Sequence, residues 1–312
     1  MSLSEKLLKT VERIKLLQVQ GARNVAVAAA TAFAHFASES SAKTRIEFLK
    51  QLHEARDLLY NARETEPLMR NAVKYILDQV ECSRSTSKSE LAAVAVKSAE
   101  VFLETLEATK ERIAEVGAKR IRDGARVFTH CHSSTVMHLL KKAWQTGKRF
   151  EVVCTETRPA FQGRITARAL TDSGIKTTLI VDSAARVFIG KVDLIVVGAD
   201  ALTSEGNVVN KIGTSMIALA AHEARKPFYV VTELLKLDPA TACGDYEPIE
   251  ERSPNEVWSD PPEGLAVRNP AFDVTTREYI HGLICEEGII PPHMVLEAAR
   301  RVYPWLFRSG HS

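Results

Sequence analysis

The sequence has no surplus of charge of either sign: 41 Lys+Arg stand against 39 Asp+Glu in 312 residues, a formal net charge of +2. Such a chain has no whole-molecule field to gather nucleic acid or an anionic membrane, so any anion it holds must be held by local geometry. A long apolar run is also missing. No stretch reaches the roughly 18 apolar residues of a membrane span, and the opening "MSLSEKLLKTVERIK" carries charge every few residues with no apolar leader core. These deficits read as a soluble cytoplasmic protein with neither nucleic acid nor membrane as partner. Cysteine is sparse too. Cys82, Cys131, Cys154, Cys243 and Cys285 are odd in number, scattered, and contain no C-x-x-C pair, which argues against a disulfide framework and a structural zinc site. Most read as buried thiols in a reducing compartment.

What is present is enough apolar residue, 45%, to build a core in each of two domains of about 150 residues. Residues 1–118 read as a helical domain. Apolar residues recur at helical spacing through "EKLLKTVERIKLL", Gly21 interrupts, and a second helix follows through "VAVAAATAFAHFA". Two more run through "TRIEFLKQLHEARDLLYNA" and "PLMRNAVKYILDQV", the latter with Pro67 suited to a first helical turn. After the polar "CSRSTSKS", Ser87 and Glu90 have the spacing of a capping box for a long helix reaching about Val116. The glycines and charges of "GAKRIRDGAR" then break the pattern, which places the domain boundary at 118/119.

Residues 119–312 alternate. The β-branched runs "ARVFTHC", "FEVVCTE", "KTTLIVD", "DLIVVGAD" and "PFYVVTE" are separated by amphipathic segments such as "STVMHLLKKAWQTG" and "GTSMIALAAHEARK". Parallel neighbours need crossover connections, so this alternation predicts a Rossmann-like α/β domain with a parallel sheet covered on both faces. Ligands of such sheets collect at the carboxyl ends of the strands. Those ends carry "THCHSS", "CTETRPAFQG", "GADALTSEGNVVNKIGT" and "TELLKLDP". The topology therefore gathers Cys131, Arg158, Asp200, Asn210, Lys211 and Lys236 at one rim. A thiol, a carboxylate and several cations suit acid/base chemistry on a phosphorylated substrate. Ser133, Ser134 and Thr135 open a helix, whose unpaired amides and dipole favour an anion, and "NKIGTS" is expected to act alike. Each residue has a plainer reading. A lone Cys at a strand end is ordinarily a small buried side chain, Asp200 can cap a turn, and Arg158 and Lys236 can be surface charges. His130 and His132 alternate with Cys131 along the strand, so the three do not share a face for a metal and read as support.

Together "TETRPAFQG", "VDSAAR", "VGADALTSEGNVVNKIGTSMIALAAH", "KPFYVVTE", "NPAFDVT" and "GIIPP" resemble the superfamily that unites the regulatory alpha, beta and delta subunits of initiation factor 2B with sugar-phosphate isomerases. The resemblance spans nearly the whole chain. Within the superfamily, "THCHSS" and "GAD" are similar to the ribose 1,5-bisphosphate isomerase family, an archaeal type active in nucleoside monophosphate degradation. That resemblance implies Cys131 and Asp200 as the catalytic pair, Cys131 as base and Asp200 as acid. It also implies substrate contacts from Gln20, Gly21, Ala22 and Arg23 of "QGAR", and from Arg63, Ser133, Ser134, Thr135, Asn210, Lys211 and Lys236. Relatives often carry Arg where Gln20 stands, and "NARETEP" departs from their common form.

The implied reaction is conversion of ribose 1,5-bisphosphate into ribulose 1,5-bisphosphate, an aldose–ketose isomerisation that requires no metal or organic cofactor. A thiolate of lowered pKa and a protonated carboxyl of raised pKa are expected. The helical domain, with Arg23 and Arg63, is expected to act as a lid. The resemblance further implies a homodimer or homohexamer and leads us to expect AMP as an activator. Methylthioribose-1-phosphate isomerase, whose first motif typically reads Cys-Asn-Thr-Gly, and a non-catalytic, nucleotide-binding regulatory subunit are the alternatives.

Overall fold

A computed structural model describes residues 4–63 and 65–308. By contact, the chain forms two compact units: residues up to Ala108 with those from Ala299 on, and Thr109–Ala298. No helix among the described residues is long and apolar enough to cross a membrane.

The first unit is helical, with α1 (Glu5–Lys15), α2 (Ala22–Glu39), α3 (Arg45–Tyr60), α4 (Pro67–Cys82) and the start of α5 (Lys88–Ala118). Helix α1 buries Leu7, Val11 and Ile14, one face of a helix at spacings of four and three. Ala26, Ala29, Ala30 and Phe33 are fully buried in α2, where small side chains allow close approach of α4. Pro67 stands in the first turn of α4, where its missing N–H costs nothing. At the other end of α4, the Arg45 guanidinium donates to the carbonyls of Glu81 and Ser83, acceptors the helix end leaves unpaired, and to that of Ser85 in the loop beyond. The capping box expected at Ser87 and Glu90 is not made: the Ser87 hydroxyl pairs with Ser89, and Glu90 accepts from Ser85. Several serines in "CSRSTSKS" compete for the same partners, and spacing cannot rank them.

The second unit contains β1 (Arg126–Thr129), α6 (Ser134–Gln145), β2 (Glu151–Thr155), α7 (Gln162–Thr171), β3 (Lys176–Ile180), α8 (Ala185–Ile189), β4 (Leu194–Val197), β5 (Ala201–Leu202), β6 (Val208–Lys211), α9 (Thr214–Glu223), β7 (Phe228–Val231), β8 (Phe272–Thr275), β9 (Gly282–Cys285) and β10 (Gly288–Ile290). Helix α10 (Val295–Val302) then crosses into the residues counted with the first unit. Helix α5 ends at Ala118, where the sequence pattern breaks, but the units part within it, after Ala108. The reason is packing: Ile113, Ala114 and Ala118 belong to the core under the sheet, with Val127, Leu139, Val152 and Val196. At the far end of the chain, Trp305 packs its ring on Tyr75, 4.9 Å between centroids, which ties the last residues to the helical unit.

The fold is therefore α/β, a helical region followed by a mostly parallel sheet. The large sheet runs β10-β9-β7-β4-β1-β2-β3, parallel throughout except for β10. Its central strands β4 and β7 are buried along their whole length, as parallel strands covered on both faces must be. Burying one such Val, Leu or Phe stabilises by about 1.5–3 kcal/mol. Strand order reverses at β1: the chain goes outward to β2 and β3, then returns to the other side of β1 as β4. The loops after β1 and β4 consequently diverge at one point of the rim. A second sheet, β5-β6-β8, is antiparallel and carries "NVVNK" next to "FDVT", a pairing not anticipated from the sequence.

Candidate active site

Cys131 lies just beyond β1, and Asp200 just beyond β4, so both stand where the strand order reverses. This is the crevice in which open α/β sheets take their ligands. Cys131 has a left-handed backbone, φ 64°, and two further non-glycine residues of the same rim, Thr157 (φ 62°) and Phe161 (φ 55°), share it. A β-branched residue there is strained, and strain of this kind persists only where neighbours fix it. They do. The Thr157 hydroxyl accepts from Cys131 N at 3.0 Å, Thr166 donates to Cys131 O at 2.9 Å, and the Asp182 carboxylate accepts from the amides of Thr157 and Arg158.

The flanking histidines are structural partners. His130 is buried, with Nδ1 2.6 Å from Thr155 Oγ1 and Nε2 2.9 Å from the Ile212 carbonyl, and burial lowers its pKa. His132 Nδ1 meets Thr166 Oγ1 at 2.9 Å. With both of its ring nitrogens engaged, His130 joins the ends of β1, β2 and β6.

Helix α6 begins as its sequence predicts. Ser133 is the N-cap and accepts from Val136 N, Ser134 is exposed, and buried Thr135 donates to Glu233 Oε1 at 3.0 Å. The end of β4 passes so close that a Cβ on Gly198 would lie 2.7 Å from Ser133 Oγ, so this position in "GAD" admits only glycine without displacement. Lys236 holds the same backbone: its ammonium donates to the Ala199 carbonyl at 2.8 Å and stands 3.1 Å from Glu233. Asn210 donates to Thr214 Oγ1, and Lys211 is buried with its Nζ 4.8 Å from the centroid of the Phe272 ring. The expected anion seat at the start of α9 is already filled by protein. Asp273, from β8, accepts from Gly213 N and Ser215 N.

Electrostatically, Cys131, Asp200, Lys211 and Arg252 form one group. Burial pushes the Cys131 thiol up to about 11; Lys211 and Arg252 pull it down, and Asp200 pushes it further up. The thiolate of lowered pKa expected from the sequence is therefore not the resting state: desolvation outweighs the two cations. Burial lowers the pKa of Lys211, and the groups that face it are Cys131, Arg252, Asp200 and Glu250. Arg252 and Glu250 were missed by sequence reasoning, because "EPIEERSPNE" belongs to none of the strands or helices that the sequence pattern marks. Gln162 was missed as well; its Oε1 is a buried acceptor without a donor among the described residues.

Gln20, Gly21, Ala22, Arg23 and Arg63 lie in the helical unit. Gly21 is the N-cap of α2, with φ 84°, and Gln20 beside it is exposed. Arg23 is buried, donating to the Leu106 carbonyl and to Glu107, and buried Arg63 pairs with Glu66 at 3.1 Å.

A mostly parallel sheet whose strand order reverses beside a thiol, a carboxylate and buried cations defines an open-sheet α/β protein. More particularly, the chain belongs to the initiation factor 2 subunit family, whose model matches residues 18–292. It is 42% identical to the ribose 1,5-bisphosphate isomerase of Methanocaldococcus jannaschii over 300 residues, covering 96% of each chain. Identity to the protein of the same name from Archaeoglobus fulgidus is 44% over 294 residues, covering 93% of this chain and 91% of that one. The crystal structure of the translation initiation factor eIF-2B of Pyrococcus horikoshii OT3 superposes with a TM-score of 0.81 at 32% identity, covering 93% of this chain and 98% of that one.

Proposed function

We propose that this chain is an aldose–ketose isomerase converting ribose 1,5-bisphosphate into ribulose 1,5-bisphosphate in nucleoside monophosphate degradation, with Cys131 as base and Asp200 as acid. The observation that carries the proposal is the meeting of these two residues, from loops far apart in sequence, at the reversal point of the sheet in a chain closely similar to proteins named for that activity. In the forward step Asp200 gives its proton to the ring oxygen as the C1–O bond breaks, and Cys131, as thiolate, takes the proton from C2. The resulting enol phosphate loses its O2 proton and gains one at C1, leaving a ketone at C2. Protons and electrons balance within the sugar, so no cofactor takes part.

The thiol must first lose its own proton. Lys211 faces the thiol, and its ammonium favours the thiolate once that proton has left. Gln20, Gly21, Ala22, Arg23, Arg63, Ser133, Ser134, Thr135, Asn210, Lys211 and Lys236 complete the proposed substrate contacts. The same proposal includes self-association as a homodimer or homohexamer and activation by AMP.

The test is an assay of purified protein with ribose 1,5-bisphosphate and with methylthioribose 1-phosphate, each with and without AMP. Turnover of the bisphosphate, stimulated by AMP and abolished in Cys131→Ser and in Asp200→Asn with unchanged thermal unfolding, is the expected result. Turnover of the thioether substrate alone, or of neither, overturns the proposal, and substantial activity in either variant overturns the assigned roles.

A further inference from the structure

Arg252 lies between β7 and β8, yet its backbone is well fixed. Its N–H donates to the Asn269 carbonyl at 2.9 Å, Ala271 N donates to the Glu250 carbonyl at 2.9 Å, and Glu251 bridges to Pro270. This short antiparallel pairing leads directly into β8. The Arg252 side chain is only 9% exposed, and its guanidinium carbon lies 5.9 Å from the Phe272 ring centroid, the ring that Lys211 approaches to 4.8 Å. Lys211 and Phe272 are register partners across β6 and β8, so one aromatic ring supports both cations. Nε of Arg252 donates to Glu250 Oε1 at 3.2 Å. The terminal nitrogens Nη1 and Nη2 have no acceptor among the described residues, and neither has Nζ of Lys211.

The fork nitrogens and the ammonium are not among the fully enclosed unpartnered atoms, so an incoming anion can reach them and make charge-assisted contacts on a side chain already held in place. Two neighbouring cations with that fork match a tetrahedral dianion in charge and in shape better than they match a single carboxylate. Cys131 faces both cations, and Asp200 faces Cys131 and Lys211.

We propose that Arg252 is a further substrate-binding residue of this site, its Nη1/Nη2 fork and the Lys211 ammonium together receiving a phosphate group of the sugar beside Cys131 and Asp200. The inference rests on the isomerase reading for the identity of the anion. There, because the thiol acts at C2 and the carboxyl at the ring oxygen, the group seated on Arg252 is the 1-phosphate.

Anion binding is measured without turnover by protection of Cys131 from iodoacetamide at about pH 9, where thiolate begins to form. Peptide mass spectrometry of the full-length protein reads Cys131 separately, with the exposed Cys82 and Cys243 as internal references. The ligands are inorganic phosphate and ribulose 1,5-bisphosphate. Arg252→Met is expected to raise the half-protecting concentration of both by about ten-fold or more, as loss of a charge-assisted hydrogen-bonded pair does. An unchanged concentration in a variant that still unfolds cooperatively overturns the inference, as does absence of protection by either ligand in the unsubstituted protein. Should Arg252→Met fail to fold, Arg252→Lys keeps the charge and removes the fork; a rise of about three-fold or more supports the inference, and no rise overturns it. If ribulose 1,5-bisphosphate protects no better than inorganic phosphate, the isomerase reading fails, while the dependence of phosphate protection on Arg252 still decides the inference.

Discussion

Lys236 and Glu233 are both buried, and Lys236 also carries the Ala199 carbonyl, the last backbone acceptor before Asp200. Removing one partner of a buried pair leaves the other charge poorly compensated, at a cost of at most about 3–5 kcal/mol. Lys236→Met is therefore expected to lower the thermal unfolding midpoint markedly and to reduce turnover through displacement of Asp200, measurable by calorimetry and by the isomerase assay. Cys131 offers a titration with a defined sign. With its thiol near 11, alkylation of the ligand-free protein should keep rising with pH past the range of an ordinary thiol. Lys211→Met removes a cation that favours thiolate and should move the profile to higher pH; Asp200→Asn removes a carboxylate that disfavours it and should move the profile lower. Opposite shifts would contradict the electrostatic grouping. The folded chain keeps this proton after the unfolded chain has released its own near 9, so the thiol's contribution to stability falls as pH rises from about 9 through 11. Cys131, Asp200 and Lys211 were readable from their motifs. Arg252 was not, since its burial depends on a pairing with residues 269–271 that no local pattern announces.

Among elements, α7 and α9 depend on single residues. A Cβ on Gly163, in the first turn of α7, would lie 1.7 Å from the Thr155 carbonyl at the end of β2, whereas one on Gly190 meets nothing within 4 Å. Gly163→Ala should destabilise by about 1–3 kcal/mol or more, as forced overpacking does, and Gly190→Ala should be neutral or stabilising by up to about 1 kcal/mol. Denaturant titrations of the two variants separate the cases. Helix α9 is capped from another strand by Asp273, whose carboxyl burial raises to about 6 against the pull of the Gly213 and Ser215 amides. Between about 4 and 6 the folded state keeps a proton that the unfolded chain has lost, so this group's contribution to stability decreases as pH rises through that window. Asp273→Asn should flatten the pH dependence of the unfolding midpoint there. Helix positions followed from periodicity, and Pro67 marked one start correctly. The Asp273 cap did not follow: "GTS" alone looks like an open helix end, and the residue that fills it is distant in sequence.

For the whole molecule, the edge strand β3 and the residue after it expose Leu179 (43%) and Val181 (53%), and the paired helices α8 and α9 expose Val187 (62%) and Met216 (53%). Exposed apolar groups on an edge strand and on a helix surface invite association, which agrees with the proposed self-association. Light scattering of the purified protein should report a multiple of 34.5 kDa, and Val181→Lys with Val187→Lys should lower that mass. A single-chain mass for the unsubstituted protein would exclude the homo-oligomer.

Fold class was legible from one end of the chain to the other, because hydrophobic period is local: five helical stretches, then β-branched runs alternating with amphipathic ones, leave few architectures open. The sequence also named the thiol and the carboxylate, since strand ends of a parallel sheet are where side chains meet ligands. Folding supplied what has no local signature. Reversal of strand order at β1 set Cys131 and Asp200 on neighbouring loops, and the β6–β8 pairing brought Arg252 beside Lys211. Desolvation then pushed the thiol up rather than down, because burial acts on every charged group at once and depends on neighbours drawn from all parts of the chain.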